Sequence, residues 1–444
     1  MTKLLIKNGK LVTKNTVLES DLLVEDGIII KIRGEIIDAE AEVIEAEGKY
    51  LLPGVIDTHV HFRDPGLTEK EDFESGSKAA LKGGVTTIFD MPNTNPATVT
   101  KSALSTKREN AAEHCYVNYG FYYGVTPDNI NSLEYIEGIV GLKVYLGKST
   151  GDMLLEESYL DQLIQLPYLI AFHAEDEDII EKHKEQFKDD HDPAVHSLIR
   201  NKDAAISATK KILHLAKKYN ARVHICHLST GEEAELLKKF KASNITSEVA
   251  PHHLFLNEKE YLKQGNRVKM NPPLRTKEDQ EVLWEGLKKG DINMVATDHA
   301  PHLLKEKEQD YWKAPAGVPG VEMSLPLLLN EVSHGNLSLE EVVKFTATNP
   351  AEKFRISNKG VIAEGYDADL VIVDMDLQKE VKDEDQLTKC GWTPYSGRSL
   401  MGWPIMTIVN GEIAFKDGEV CAKLRGQEVA FERAATKVQS VNIF

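Results

Sequence analysis

The sequence predicts a (β/α)8 barrel carrying a small β-sandwich built from both ends of the chain. Two patterns carry that expectation. Through the middle of the 444 residues, eight short apolar, β-branched or aromatic runs alternate with helix-length amphipathic segments, as in a parallel sheet joined by crossover helices. Strand-and-turn texture fills the segment before Pro53 and returns near the end of the chain.

Taken in order, Leu4-Ile6, Leu22-Val24 and Ile28-Ile32 read as strands, with Asn8-Gly9 and Asp26-Gly27 between them. Asx-Gly pairs between β-branched runs are hairpin signals. The same texture recurs in Ala368-Asp374 and Ile405-Phe415. Two β-rich stretches at opposite ends most simply form one sandwich, residues 1–52 with 358–426, leaving 53–357 for the barrel. The eight barrel runs lie near Val55-His61, Val85-Pro92, Val117-Gly124, Gly141-Gly147, Leu169-Ala174, Arg222-Leu228, Ile245-Ala250 and Ile292-His299. Between them Glu71-Leu81, Lys202-Lys218 and Lys277-Lys289 show helical periodicity. An open doubly wound sheet is the alternative, but no G-x-G-x-x-G follows the first run. Residues 427–444 read as a helical tail.

Composition bounds the function. With 41% hydrophobic and 28% charged residues the chain can build a large core. A net charge of -17 argues against nucleic acid or an anionic membrane as the main partner. A local cationic pocket for a small anion stays compatible with it. The four cysteines, Cys115, Cys226, Cys390 and Cys421, lack C-x-x-C spacing, which fits a reducing compartment. The N-terminal run is broken by Lys7 and has no small-residue cleavage site, and no uncharged apolar run reaches membrane-spanning length. A cytoplasmic protein is expected.

In a barrel, functional side chains project from the C-terminal ends of the strands. His59 and His61 end the first run, Lys143 lies in the fourth, His173 ends the fifth, His227 the sixth and Asp298 the eighth. Histidines at i and i+2 on a strand share a face, so both imidazoles can reach one cation. Asp298 adds a carboxylate to a nitrogen set that zinc accepts. His173 and His227 can serve a second ion if a bridging ligand lies between. Each residue alone has a plainer explanation: a core histidine, a snorkelling lysine, an N-cap aspartate before Ala300-Pro301. Six of them at the ends of five barrel strands make those explanations fail together.

The stretch Pro53-Gly-Val-Ile-Asp-Thr-His-Val-His-Phe-Arg-Asp-Pro-Gly66, followed by Asp90-Met-Pro-Asn-Thr-Asn-Pro96, resembles the amidohydrolase superfamily and, within it, the dihydroorotases. Gly141-Leu-Lys-Val-Tyr-Leu146, His173-Ala-Glu-Asp176, Asn271-Pro-Pro-Leu-Arg275, Thr297-Asp-His-Ala-Pro-His302, Gly317-Val-Pro-Gly-Val-Glu322 and Ile362-Ala-Glu-Gly-Tyr-Asp-Ala-Asp-Leu370 extend the resemblance over nearly the whole chain. It implies two zinc ions bridged by a carboxylated Lys143. His59, His61 and Asp298 would hold the first, and His173 and His227 the second. Asp152, in Ser149-Thr-Gly-Asp152, is a competing bridge. Asp298 would also serve as general base and then acid in opening a ring amide.

Dihydroorotate carries a carboxylate outside its reacting amide. Arg63, two residues past His61, offers a planar fork for it, and Asn93 and His302 would complete the clamp, as in the dihydroorotases. Their plainer explanations are a solvated rim arginine and, for Asn93, a turn residue. Asn271 and the backbone of Gly317-Val318-Pro319-Gly320 would line the ring edge. The 147–153 segment is either a closing loop or a plain surface loop. His252, His253, His299 and Cys226 fall near the site without an assigned role. The resemblance thus implies interconversion of N-carbamoyl-L-aspartate and L-dihydroorotate by a homodimer. The alternatives are an allantoinase- or hydantoinase-like hydrolase and, more distantly, a non-catalytic scaffold, which would lack ligand positions that are filled here.

Overall fold

The computed structural model describes residues 3–133, 135–148, 151, 153–423 and 425–432. Eight parallel strands form the central sheet: Val55–Val60, Val85–Asp90, Asn118–Gly124, Gly141–Tyr145, Leu169–His173, Arg222–Ile225, Ile245–Val249 and Met294–Val295, each beside the next. All eight fall within the expected runs. The last is only two residues long. It closes on the first through a parallel bridge of Val60 with His299, where the His61 amide donates to the His299 carbonyl at 2.8 Å.

The outer helices start where local chemistry stops the strand-to-helix loops. Thr230 and Glu233 form a capping box for Gly231–Lys239, as do Thr276 and Asp279 for Lys277–Lys289. Asn201 caps Lys202–Tyr219, which ends at Asn220 in the left-handed conformation. The helix expected from Glu71 begins at Phe73, because Asp72 is its N-cap and Glu71 is wholly buried. No helix among the described residues is long and apolar enough to cross a membrane.

Nine strands from the two ends make a separate mixed sheet. Tyr50–Pro53 is its seam, pairing parallel with Lys3–Val12 and antiparallel with Leu370–Glu380. The sheet curls until the Ile29 amide meets the Tyr366 carbonyl at 2.9 Å. Leu4, Ile6, Val24, Ile44, Leu370 and Ile408 then share one core.

Two local expectations came out differently. Asp26-Gly27 does turn a hairpin, with φ of 47° and 85°. Asn8-Gly9 instead lies inside the strand Lys3–Val12 as a bulge, its amide taken by Asp21 Oδ1 at 2.9 Å. After Gly426, residues 427–432 run extended, bridging Tyr119 through Glu428 and Ile356 through Phe431. That is not a helix, because these residues fill open backbone hydrogen-bonding positions beside the barrel: the Tyr119 amide donates to the Gln427 carbonyl. The rest of the expected tail, 433–444, lies outside the described residues.

One buried ion pair sets the entrance to the first barrel loop. Lys107 and Asp90 are both fully buried at 2.5 Å, and Asp90 Oδ1 accepts the Phe62 amide at 2.7 Å, between His61 and Arg63. Removing one partner of a buried pair leaves an uncompensated charge. Lys107→Met should therefore cost about 3–5 kcal/mol in denaturant unfolding. A loss under about 1 kcal/mol would show that Asp90 finds other compensation.

Candidate metal and substrate site

Four imidazoles run in a row across the mouth of the barrel. His61 and His59 have ring centroids 5.2 Å apart, His59 and His227 5.4 Å, and His227 and His173 4.8 Å. Asp298 Oδ1 stands 3.0 Å from His61 Nε2 and 3.2 Å from His59 Nε2. At the other end His173 Nδ1 and His227 Nε2 are 2.9 Å apart. The fully buried Lys143 has its Nζ 5.1 Å from the centre of the Tyr145 ring, which packs 5.7 Å from that of His173. The Cys226 beside it shares a cluster of close donor atoms with His59. Lys143 Nζ meets Cys226 Sγ at 3.0 Å. All six residues expected to be ligands therefore converge. Asp152 lies outside the described residues, as do residues 149 and 150 of the same segment.

Backbone conformation aims these groups. Arg63, His227 and Asp298 have φ of 63°, 35° and 47°, a region disfavoured for side chains with a Cβ. Each sits where a strand gives way to a loop, and the surrounding packing holds it there.

Two residues without an assigned role in the sequence stand behind the imidazoles. Glu248, on the seventh barrel strand, bonds His59 Nδ1 at 2.5 Å and also receives Thr58 and His224, each at 3.0 Å. Glu175 Oε2 meets His173 Nε2 at 3.0 Å and pairs with Arg200 at 2.5 Å. A carboxylate on the far nitrogen of a histidine fixes the ring and its tautomer, the arrangement that metal-ligating histidines use. His59 and His173 thus each turn one nitrogen toward the convergence point and rest the other on a carboxylate.

The charge balance agrees with a cation. Burial and Lys143 oppose a proton on His59, yet Glu248 and Asp298 outweigh them and raise it well above the ordinary histidine value. Two buried carboxylates converging on one imidazole call for positive charge there. Burial lowers His61 to about 3 and also lowers His173 and His227, keeping those rings neutral as ligation requires. His59, His61 and Asp298 offer three donor atoms within 4.8 Å of one another. The donors are imidazole and carboxylate, which suit zinc.

Beside this group lies a pocket lined by Arg63, Asn93, Tyr145, Asn271 and Gly317 as well as the imidazoles and Asp298. Arg63 is buried; its Nε donates to the Pro301 carbonyl at 3.3 Å, and its Nη1 has no described partner. His302 takes Lys70 on Nδ1 at 3.2 Å, so its Nε2 carries the proton and donates to the Ala316 carbonyl at 3.1 Å. The Arg63 Nη2 beside that nitrogen at 3.3 Å is therefore in contact with it but not bonded to it. His302 backs Arg63 and does not line the pocket wall. Asn271 is held by His196 at 2.9 Å.

The Gly317 wall depends on two buried lysines. Lys307 Nζ donates to the carbonyls of Lys269, Pro315 and Gly317 at 2.8, 2.8 and 2.9 Å, and Lys269 Nζ to those of Tyr311 and Ala314. A Cβ at Gly317 would meet the Ala300 carbonyl oxygen at 2.5 Å, so only glycine allows this approach. His299 is accounted for structurally: its Nδ1 accepts the Gly320 amide at 3.0 Å and its Nε2 faces Glu71 at 3.3 Å.

The family model described as "Amidohydrolase family" matches residues 50–414. The chain belongs to the amidohydrolase family. Dihydroorotases are among the proteins similar to it: that of Methanosphaera stadtmanae is 37% identical over 429 residues, covering 95% of this chain and 98% of its own. The dihydroorotase of Pyrococcus abyssi is 38% identical over 431 residues, covering 96% and 99%. Among solved structures, the L-hydantoinase (dihydropyrimidinase) of Arthrobacter aurescens superposes with a TM-score of 0.91 at 32% identity, covering 95% of this chain and 98% of that one.

Glu248→Gln keeps the shape of the support but removes its charge. Metal affinity should fall about 10- to 100-fold, read as metal retained after dialysis against graded chelator. Unchanged retention would remove Glu248 from the support of His59.

Proposed function

We propose that this chain is a zinc-dependent dihydroorotase that interconverts N-carbamoyl-L-aspartate and L-dihydroorotate. The observation that carries the substrate is the buried Arg63, whose free Nη1 shares a pocket with the convergent imidazoles and Asp298. A fixed cation beside an amide-opening site suits a ring bearing a carboxylate. The similarity to named dihydroorotases supports the same reading.

His59, His61 and Asp298 would hold one zinc ion and His173 and His227 the other. Lys143, as a carbamate formed with carbon dioxide, would bridge them. Its burial between the two groups supports this, since an uncompensated ammonium there is unfavourable. When bound, the ions supply Lewis acidity and a nucleophile at neutral pH. Asp298 takes the proton of the attacking water and delivers it to the departing ring nitrogen, as base and then acid. In the closing direction it removes the ureido nitrogen's proton and returns it to the leaving water. Arg63 and Asn93 hold the substrate carboxylate, with His302 packed behind Arg63, and Asn271 borders the ring. A cytoplasmic homodimer belongs to the same proposal, and light scattering on the purified chain reads the dimer.

The deciding experiment assays dihydroorotate, allantoin and dihydrouracil side by side with metal analysis. The similarity to hydantoinase structures makes dihydrouracil the critical competitor. Turnover of dihydroorotate alone, in both directions, is expected; preference for either other ring would overturn the substrate. His61→Ala should abolish turnover and lower bound zinc. Arg63→Met should raise KM for dihydroorotate at least tenfold with zinc content unchanged, since it removes a charged hydrogen bond of roughly 1.5–3 kcal/mol.

A further inference from the structure

Tyr145 is a buried phenol that the steps above do not use. It lies two residues after Lys143 on the fourth barrel strand, so both side chains face the barrel interior. Its ring packs 5.7 Å from that of His173, with Lys143 Nζ 5.1 Å from its centroid. The hydroxyl is fully buried and has no described hydrogen-bond partner, yet the residue lines the pocket that holds Arg63 and Asp298. Buried hydroxyls without partners are uncommon and mark places where a ligand or water completes the set. A phenol is un-ionised at neutral pH and offers its O–H as a hydrogen-bond donor.

Arg63 Nη1 is the second unpartnered donor on the same pocket. A guanidinium N–H and a phenol O–H offer hydrogens together, so the group that satisfies both must accept twice. A carboxylate does this with two oxygens. We propose that the Tyr145 hydroxyl, together with Arg63 Nη1, grips the carboxylate that the substrate carries outside its reacting amide, making Tyr145 a specificity-determining residue. This rests on the dihydroorotase reading. It assigns Tyr145 to recognition and not to the reacting carbonyl.

Tyr145→Phe keeps the ring that packs on His173 and removes only the hydroxyl. KM for dihydroorotate should rise roughly 10- to 100-fold, as for the loss of a hydrogen bond to a charged group. The kcat should stay within about threefold, and zinc content and melting temperature should match the unmutated chain. In an Arg63→Met background the same change should raise KM less than threefold, because the carboxylate is already released. A fall in kcat at constant KM would move Tyr145 to the reacting carbonyl and overturn the assignment. So would unchanged kinetics, multiplicative losses in the double variant, or loss of zinc without a change in KM. If the unmutated chain fails to turn over dihydroorotate, the substrate reading itself is what has failed. Turnover there with an indifferent Tyr145→Phe rejects only the clamp.

Discussion

The closure of the barrel between its first and last strands is the constraint on which the site depends. The eighth strand pairs through only two residues, too few to hold Asp298 against His59 and His61 unaided. Side chains do the rest. Asp57 takes the Thr297 amide at 3.0 Å and its hydroxyl at 2.6 Å, and His299 is fixed by the Gly320 amide and Glu71. With the residues on either side of Asp298 anchored, its strained φ persists and its carboxylate points across the seam. Burial raises Asp57 to about 6, against the opposing Thr297 hydrogen bonds. A group raised above its unfolded value costs stability as pH rises through that unfolded value, and the cost levels off above about 6. The barrel therefore gives up some stability at neutral pH to hold its seam.

Around that seam the charges are paired behind the site, while two donors on the pocket have no described partner. Glu248 and Glu175 each sit behind an imidazole, and Lys307 and Lys269 are enclosed by backbone carbonyls that shape the opposite wall. Glu175 is itself balanced by Arg200. Buried charges without such partners would change protonation state or unfold the loop. Arg63 Nη1 and Tyr145, by contrast, face the pocket without described partners. The division between paired support and open donors is what distinguishes a binding wall from a structural network.

Much of this was legible in the sequence, because strand periodicity says which residues share a face. The eight runs and the gathering of ionisable residues at strand ends followed from that, while the bridging role of Lys143 came only from the resemblance. What periodicity cannot give is the partner across the barrel. Glu248 is 189 residues from His59, and nothing in its own strand, Ile-Thr-Ser-Glu-Val, points to that partner. Lys307 sits in Leu304–Lys307, within a run of lysines and glutamates that looks like a solvated face, yet it is 1% exposed. Its burial follows from three carbonyls brought by a loop, and a loop has no period to read. The Asn8-Gly9 bulge shows the converse: a strong turn signal is overridden when flanking strand pairs and Asp21 accept an extra residue.

The likeness to both dihydroorotase sequences and hydantoinase structures has a physical reading. On the proposed reading the barrel, the imidazole row and the backing carboxylates would address the amide that all such rings share, and a shared fold does not separate one ring from another. Separation must come from atoms beyond the amide. On the proposed reading those atoms belong to Arg63, after the first strand, and Tyr145, at the end of the fourth, both of which line the same pocket. A donor left unpaired in a buried pocket penalises every ring that lacks its acceptor, so two groups that would attract a carboxylate would also reject rings without one. On that reading ring choice would be set by unsatisfied donors on a rigid scaffold, with no change needed in the barrel itself.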